Sequence, residues 1–445
     1  MENKEFNLDE NSYYQMSLNE PNSNYLQEFW NIDETISELA YLTHDYFRYY
    51  GKFPSKVGKN IISDLKERNL INTNRDIIFD NYAGSGTSLV ESKLMGFDSI
   101  GVDINPFGVL ACNVKTFCLD NIELNRRWME FSSILSTYIE NPEELNIIGR
   151  DTINPEMVQK IENTLSNVNR DFPDITKWFC EENIRDLAVI KTLLLEMEMS
   201  EYREFFSLAF FAIIRRVSTS HDGEVRPHVN KKKRKRDVLT AYCKKVCEMI
   251  DTMREWNAVT SNNICSKAFL SDNRSPDRLR NILHQFQNER NKQLGLVISH
   301  PPYLNCFDYI PVYKLKFLWA FGFNEIYGQA DYNVIKSSEI KSYPASTHKL
   351  IDQYFESNIA GYELIYDMLR PDGYCCIVIG DCTVKKQLFR VHKTFINMCE
   401  NIGFTIEKVV SRSTHYGLGK YAYNFRADYH EEEEGKKDVI IFLRK

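Results

Sequence analysis

Long apolar runs are missing from the 445-residue chain. The longest, Phe205 to Ile214, is about half of what a membrane span needs, so no membrane segment is expected. The start, MENKEFNLDENSYYQ, is polar and acidic with no apolar core, so it does not read as a secretory leader. The eleven cysteines show no paired C-x-x-C spacing, and no metal site is expected from them. Cys375, Cys376, Cys243 and Cys247 read instead as thiols in a strand and on a helix, the usage of a reduced, cytoplasmic protein. An excess of positive charge is absent too. Lys and Arg number 55 against 62 Asp and Glu, a net charge of -7, which excludes a uniformly basic nucleic-acid coat protein but not a local basic patch. What is present, 43% hydrophobic and 13% aromatic residues, suffices for a sizeable core.

The chain divides by pattern. Residues 1–25, rich in Asn, Ser and Glu, read as a loose arm. Asp76 to Asp80 is a short apolar run ending in an acid. A glycine turn and a helical pattern closed by Gly96 follow, then a second strand, Ser99 to Asp103. This β-turn-α-β unit within residues 26–118 implies a parallel sheet with right-handed crossovers. Residues 119–260 show apolar positions at three and four spacing with few strand signals, and read as a helical insertion. Strands alternate with helices again in 261–445: Leu294 to Ser299, the helix Leu350 to Leu369, Cys375 to Gly380, then strands near Thr405 to Val410 and Val439 to Leu443. The acidic run His430 to Glu434 between the last two strands reads as a solvated loop.

Two motifs carry chemistry. In Asp80-Asn-Tyr-Ala-Gly-Ser-Gly-Thr87, Gly84 and Gly86 let the backbone turn tightly and approach a ligand. The third glycine of a dinucleotide fingerprint would fall at Leu89 and is absent, which disfavours a nicotinamide-dependent oxidoreductase. Asp103, at the next strand end, is placed to accept hydrogen bonds from both hydroxyls of a ribose. In Ser299-His-Pro-Pro-Tyr303, two prolines after a buried strand stiffen the chain and leave carbonyls free to accept. With Tyr303 as an aromatic plane, this suits a planar base carrying an exocyclic amine.

Together these motifs resemble the amino-DNA methyltransferases. Asp80 to Thr87 resembles their D-P-F-x-G-S-G-T element, Gly101-Val-Asp-Ile-Asn-Pro106 their G-x-D-x-N-P element, and His300-Pro-Pro-Tyr303 their [S/D/N]-P-P-[Y/F/W] element. Leu304 to Tyr309 with Lys314-Leu-Lys316, and Thr43 to Pro54 upstream, look like the S-P-P-Y group that methylates cytosine N4; Leu369 to Tyr374 looks like the turn before that group's fifth strand. The resemblance implies a class I methyltransferase-like, doubly wound, mainly parallel α/β sheet with a helical insertion, and S-adenosylmethionine as methyl donor. Asp80, Ala83, Gly84, Ser85, Gly86, Thr87, Asp103 and Asn105 would hold the donor, with Asp272 accepting from its adenine amino group. His300 and the Pro301 carbonyl would accept from the target amine, beside Pro302, and Tyr303 would stack the flipped base. Direct transfer needs no covalent intermediate, so no cysteine nucleophile is required. Asn81 stands where the family has proline. His300 stands where it has Ser, Asp or Asn; a neutral imidazole accepts through one nitrogen and a protonated one through none, so activity should fall at low pH.

Between residues 215 and 236, nine Lys and Arg face only Asp222 and Glu224. Arg215, Arg216, Lys231, Lys232, Lys233, Arg234, Lys235 and Arg236 are therefore expected to track phosphates of double-stranded DNA. The expected function is site-specific DNA methylation at cytosine N4, with adenine N6, an RNA amine, and a catalytically inactive nucleic-acid-binding regulator as alternatives. Such proteins work in restriction-modification, so a restriction endonuclease or defence-system subunit is a possible partner.

Overall fold

The computed structural model describes residues 13–21, 24–35, 37–139, 154–323, 331–345, 347–384, 387–413 and 437–445. Its centre is an eight-stranded sheet with strands β1 (Leu26–Trp30), β2 (Asp76–Asp80), β3 (Ser99–Asp103), β4 (Ser266–Leu270), β5 (Gln293–Ser299), β6 (Tyr374–Gly380), β9 (Thr405–Ser413) and β10 (Lys437–Arg444); β7 (Cys382–Val384) and β8 (Gln387–Phe389) form a separate hairpin. The sheet order is β1-β9-β10-β6-β5-β2-β3-β4, and every pairing is parallel except the two made by β10. This is the doubly wound, mainly parallel class I methyltransferase sheet. From β2 the chain winds outward to β3 and β4, then returns to β5 on the other side. The order therefore reverses between β2 and β5, where such sheets open a ligand crevice at the carboxyl ends of the strands.

Both faces of the sheet are covered, so its inner strands are continuously apolar. Along β2 the side chains alternate: Ile77 and Phe79 pack on one face, Ile78 on the other. The first face is sealed by α10 (Pro276–Arg290), α13 (His348–Met368) and α14 (Val391–Ile402) through residues such as Leu283, Tyr354, Ile365 and Phe395. The second meets α2 (Ser55–Glu67) through Val57, Ile61 and Leu65.

The sequence pattern shows no start for the helix α1 (Tyr13–Leu18) inside the expected loose arm. Tyr13 stacks on Phe355 at 5.2 Å between ring centroids, and Asn397 Nδ2 donates to the Met16 carbonyl (2.9 Å), so the arm is docked on α13 and α14 from Tyr13 to Leu18. Residues 1–12 and the acidic run His430 to Glu434 lie outside the described residues.

After β2 and β3 come α3 (Thr87–Leu94) and α4 (Pro106–Thr116). The segment expected to be helical contains α5 (Asn121–Ile139), α6 (Pro155–Asp171), α7 (Glu181–Glu196), α8 (Glu201–Val217) and α9 (Val238–Val259). The apolar run Phe205 to Ile214 is the centre of α8, apolar almost all round because it is packed between α4, α7, α9 and α11 (Lys314–Ala320). Phe107 of α4 lies 5.1 Å from Phe211, so the helical layer shares one core with the sheet domain. A last helix, α12 (Tyr332–Ser338), precedes α13. Among the described residues no helix is long and apolar enough to cross a membrane.

Candidate active site

The two motifs, more than 200 residues apart, meet at the switch point. A cleft enclosing about 870 Å³ of space, open solvent at its mouth included, is lined by Gly84 and Asp103 on one wall and by His300 and Pro302 on the other.

The first wall is built by the turn after β2. The buried Asp80 carboxylate accepts from the Tyr82 N–H (2.9 Å) and from the Ser88 hydroxyl, which fixes the chain as it leaves the strand. Gly84 adopts φ +53°, open to glycine without strain, and its N–H donates to Asp103 Oδ2 (2.8 Å). Lys115, buried in α4, donates to the Ser85 carbonyl (2.9 Å). Gly108, also in α4, completes the packing: a β-carbon there would collide with the Gly84 carbonyl oxygen. The close helix approach that a third glycine supplies in dinucleotide sites is thus supplied from the next helix. Asp103 Oδ1 accepts from the Asn105 N–H (2.8 Å), and Asn105 caps α4 through Phe107 N–H (3.1 Å). With one backbone donor on each oxygen, the Asp103 carboxylate retains acceptor capacity toward the cleft. Burial pushes its carboxyl up to about 6, against the neighbouring backbone N–H groups that favour the charge; burial also pushes Asp80 up to about 7.

Of the residues expected to hold a donor, Ala83, Gly84, Ser85, Thr87, Asp103, Asn105 and Asp272 line the cleft. Asp80 and Gly86 do not. Asp80 lies beneath the turn because its carboxylate is taken up by Tyr82 and Ser88, and Gly86 faces Cys112 of α4. Asp272 is bound at both oxygens by the Arg274 guanidinium (2.9 and 2.6 Å), a partner that spacing alone does not reveal.

The segment Thr43 to Pro54 forms the cover. His44 Nε2 and the Tyr41 hydroxyl both meet Glu91 Oε1 of α3 at 2.6 Å, pinning the segment to the domain. Tyr49, Gly51, Lys52 and Phe53 then line the cleft, and the Tyr49 ring covers Gly84. Burial lowers the Lys52 ammonium from its ordinary range, and its Nζ donates to the His44 carbonyl (3.3 Å).

On the second wall, His300 stands edge-on to Phe53 and Tyr303, with ring centroids 5.1 and 5.0 Å apart. Pro301 and Tyr303 do not line the cleft: Pro301 is buried, and the Tyr303 ring belongs to the core under α13 at 8% exposure. The Pro302 carbonyl already accepts the Tyr354 hydroxyl (2.7 Å). Tyr309, the last residue of the Leu304 to Tyr309 element, and Glu339, unmarked by any motif, complete this wall; Glu339 Oε1 accepts from Tyr309 and Ile310 N–H groups, and burial pushes its carboxyl up to about 7.

Several buried polar atoms in the lining have no hydrogen-bond partner among the described residues: Asn81 Oδ1 and Nδ2, Ser85 Oγ, Thr87 Oγ1 and Ser271 Oγ. Unpaired buried polar groups are rare in proteins, so this set marks where a polar ligand fits.

The basic run splits in two. Residues 219–230 form a hairpin closed by a Ser220–Val229 bridge. Arg215 and Lys233 build it rather than face solvent. Arg215 donates to Tyr50 Oη (2.8 Å) and to the Val225, His221 and Glu224 carbonyls; Lys233 Nζ donates to the Arg215 and Ser220 carbonyls and to Asp222 Oδ1 (2.8 Å). Lys235 pairs with Glu182, and Arg236 with Asp222 (3.1 Å). Arg216, Lys231, Lys232 and Arg234 remain exposed with no ion-pair partner among the described residues. Arg226 of the hairpin meets Asp308 (3.0 Å), next to the cleft residue Tyr309, so the hairpin reaches the edge of the cleft.

The N6_N4_Mtase family model, described as DNA methylase, matches residues 1–111. The type II methyltransferase M.MvaI of Kocuria varians is 28% identical over 185 residues, 42% of this chain and 36% of that protein. M.BsoBI of Geobacillus stearothermophilus is 34% identical over 99 residues (22% and 18%), and M.MjaII of Methanocaldococcus jannaschii 36% over 87 residues (20% and 15%). The chain thus spans little more than a third of these relatives at most. The rRNA methyltransferase aviRa of Streptomyces viridochromogenes overlaps 89% of this chain and 86% of its own, at TM-score 0.31 and 8% identity, too distant to bear on the site. Residues 1–111 are thus similar to the DNA methylase family, and parts of the chain to three type II methyltransferases.

Proposed function

We propose that the protein is an S-adenosylmethionine-dependent DNA methyltransferase that modifies an exocyclic amine, cytosine N4, on a base flipped into the cleft. The observation that carries this reading is the convergence of Gly84 and Asp103 with His300 in one cleft.

The cleft residues fit an adenosyl amino-acid donor. Asp103, with acceptor capacity left on both oxygens, would take the ribose hydroxyls; Ser85, Thr87 and Ser271 offer unpaired hydroxyls to its polar groups; Tyr49 and Phe53 cover it. When bound, the donor supplies an electrophilic methyl group.

The chain's own work is to prepare the amine. Its lone pair is delocalised into the ring and nucleophilic only when drawn out of conjugation, which an acceptor at its hydrogens achieves. His300 accepts one hydrogen, and Tyr354 fixes the backbone that carries it. Holding donor and amine in one closed cleft supplies the proximity such a transfer requires, with reacting atoms about 3 to 3.5 Å apart. Arg216, Lys231, Lys232 and Arg234 would track DNA phosphates beside the cleft mouth, with the helical layer α5 to α9 as the home of target recognition. The type II relatives favour a cytoplasmic protein of restriction-modification, with an endonuclease as possible partner.

The test is tritium transfer from labelled S-adenosylmethionine to DNA and to RNA, followed by nucleoside mass analysis. N4-methylcytosine in DNA is the expected product. N6-methyladenine would change the base, RNA labelling the polymer. No transfer with DNA binding retained would make the protein a regulator.

A further inference from the structure

Asn81 occupies a place in the cleft that the mechanism above leaves unused. It lines the cleft, is 1% exposed, and neither its Oδ1 nor its Nδ2 has a hydrogen-bond partner among the described residues. Burying both ends of a primary amide unpaired is destabilising unless a ligand completes them.

Its position along the strand ends indicates which ligand group it meets. Phe79 of β2 lies opposite Val297 of β5, so continuing that register brings Asn81 level with Ser299, one residue short of His300. Asp103 and Asp272 lie on the other side of β2, at the ends of β3 and β4. Asn81 therefore stands between the donor wall and His300.

The target amine has two hydrogens. His300 accepts one through a single ring nitrogen. The Pro302 carbonyl accepts from the Tyr354 hydroxyl, which leaves it one lone pair, and Pro301 does not line the cleft. A second acceptor is needed, and a primary amide offers one beside a donor. The amidine edge of an aminated base presents the complementary pair, an amino hydrogen beside an unprotonated ring nitrogen.

We infer that Asn81 is a second catalytic contact to the target base, its Oδ1 accepting the amine hydrogen that His300 does not take and its Nδ2 donating to the adjacent ring nitrogen. This rests on the methyl-transfer reading above. As the N–C bond forms and the donor's C–S bond breaks, with the bonding pair passing to sulfur, the amine loses one proton to the His300 imidazole. Asn81 cannot take a proton and holds the hydrogen that remains on the product.

The experiment compares wild type with Asn81→Ala and Asn81→Asp, measuring tritium transfer to DNA and S-adenosylhomocysteine binding by calorimetry. Asn81→Ala is expected to lower kcat by about tenfold to a hundredfold while the dissociation constant for S-adenosylhomocysteine stays within about threefold, which also reports a folded protein. Asn81→Asp regains a donor beside its acceptor only when protonated, so its rate relative to wild type is expected to rise from about pH 8 to about pH 6. A loss of S-adenosylhomocysteine affinity matching the loss of turnover would assign the amide to the donor and overturn the inference. So would an Asn81→Ala kcat within about twofold of wild type. Wild-type protein that binds S-adenosylhomocysteine but methylates neither DNA nor RNA would remove the methyl-transfer reading itself, and this inference with it.

Discussion

The glycine turn and the basic hairpin are both marked in the sequence, yet they differ in how much of that marking survives folding. At the turn, the function resides in backbone conformation and in residues close along the chain: Asp80 binds Tyr82 and Ser88, and Asp103 binds Gly84 and Asn105. On the hairpin, charge is only a composition. Arg215 and Lys233 spend their donors on carbonyls of the hairpin itself, while Arg216, Lys231, Lys232 and Arg234 stay exposed. A motif that specifies geometry localises a site; a motif that specifies charge localises a region.

The largest effect separating the two regions is expected at the turn. Asp103→Ala should weaken cofactor binding at least about a hundredfold, since charge-assisted hydrogen bonds from buried donors are lost. Calorimetry with S-adenosylhomocysteine measures it. In the basic run beside the hairpin, replacing Arg216, Lys231, Lys232 and Arg234 together with Gln should lower DNA affinity uniformly across sequences. The slope of log K against log salt should drop by up to about 3 to 4, while the melting temperature stays near wild type. Arg215→Ala should do the reverse: a stability loss of about 1 to 3 kcal/mol as the Tyr50 hydroxyl and buried carbonyls lose their donor, read by denaturant titration. Equal salt slopes in the two variants would erase the distinction drawn within the basic run.

Cofactor affinity should also depend on pH. Burial raises the Asp103 carboxyl to about 6, and the ionised form is the stronger acceptor for ribose hydroxyls. Affinity is then full above about pH 7 and falls, by up to about tenfold per unit, as pH drops below about 6. Asp103→Asn should flatten that profile, and titration calorimetry across the range checks it. The smallest effect is expected at Tyr354→Phe, which removes one hydrogen bond from the Pro302 carbonyl: about 1 kcal/mol of stability and a several-fold fall in kcat with cofactor affinity unchanged.

The sheet and its switch point were legible because buried parallel strands read as apolar runs and because the glycine turn sits between the first two of them. The wall built by the turn after β2 was legible for the same local reason. The wall that carries His300 was less so. Tyr303 reads as a stacking ring from its place after two prolines, but the core beneath α13 claims it, a contact made by residues about fifty positions away. Glu339 and Arg274 carry no motif, since their partners Tyr309 and Asp272 matter only once the loops after β5 and β4 have been placed. Gly108 had a readable signal: a glycine in the first turn of α4, where close backbone approach is its usual reason. The docked α1 is too short to show periodicity, and its helix exists through contacts with α13 and α14.

The central claim is that donor and target base occupy opposite walls of one cleft, and parallel measurement of S-adenosylhomocysteine binding and methyl transfer in His300→Ala and Asp103→Ala tests it most directly. The account predicts that His300→Ala binds S-adenosylhomocysteine as wild type does and transfers no methyl group, while Asp103→Ala fails to bind it. Equal loss of binding in both variants would contradict it.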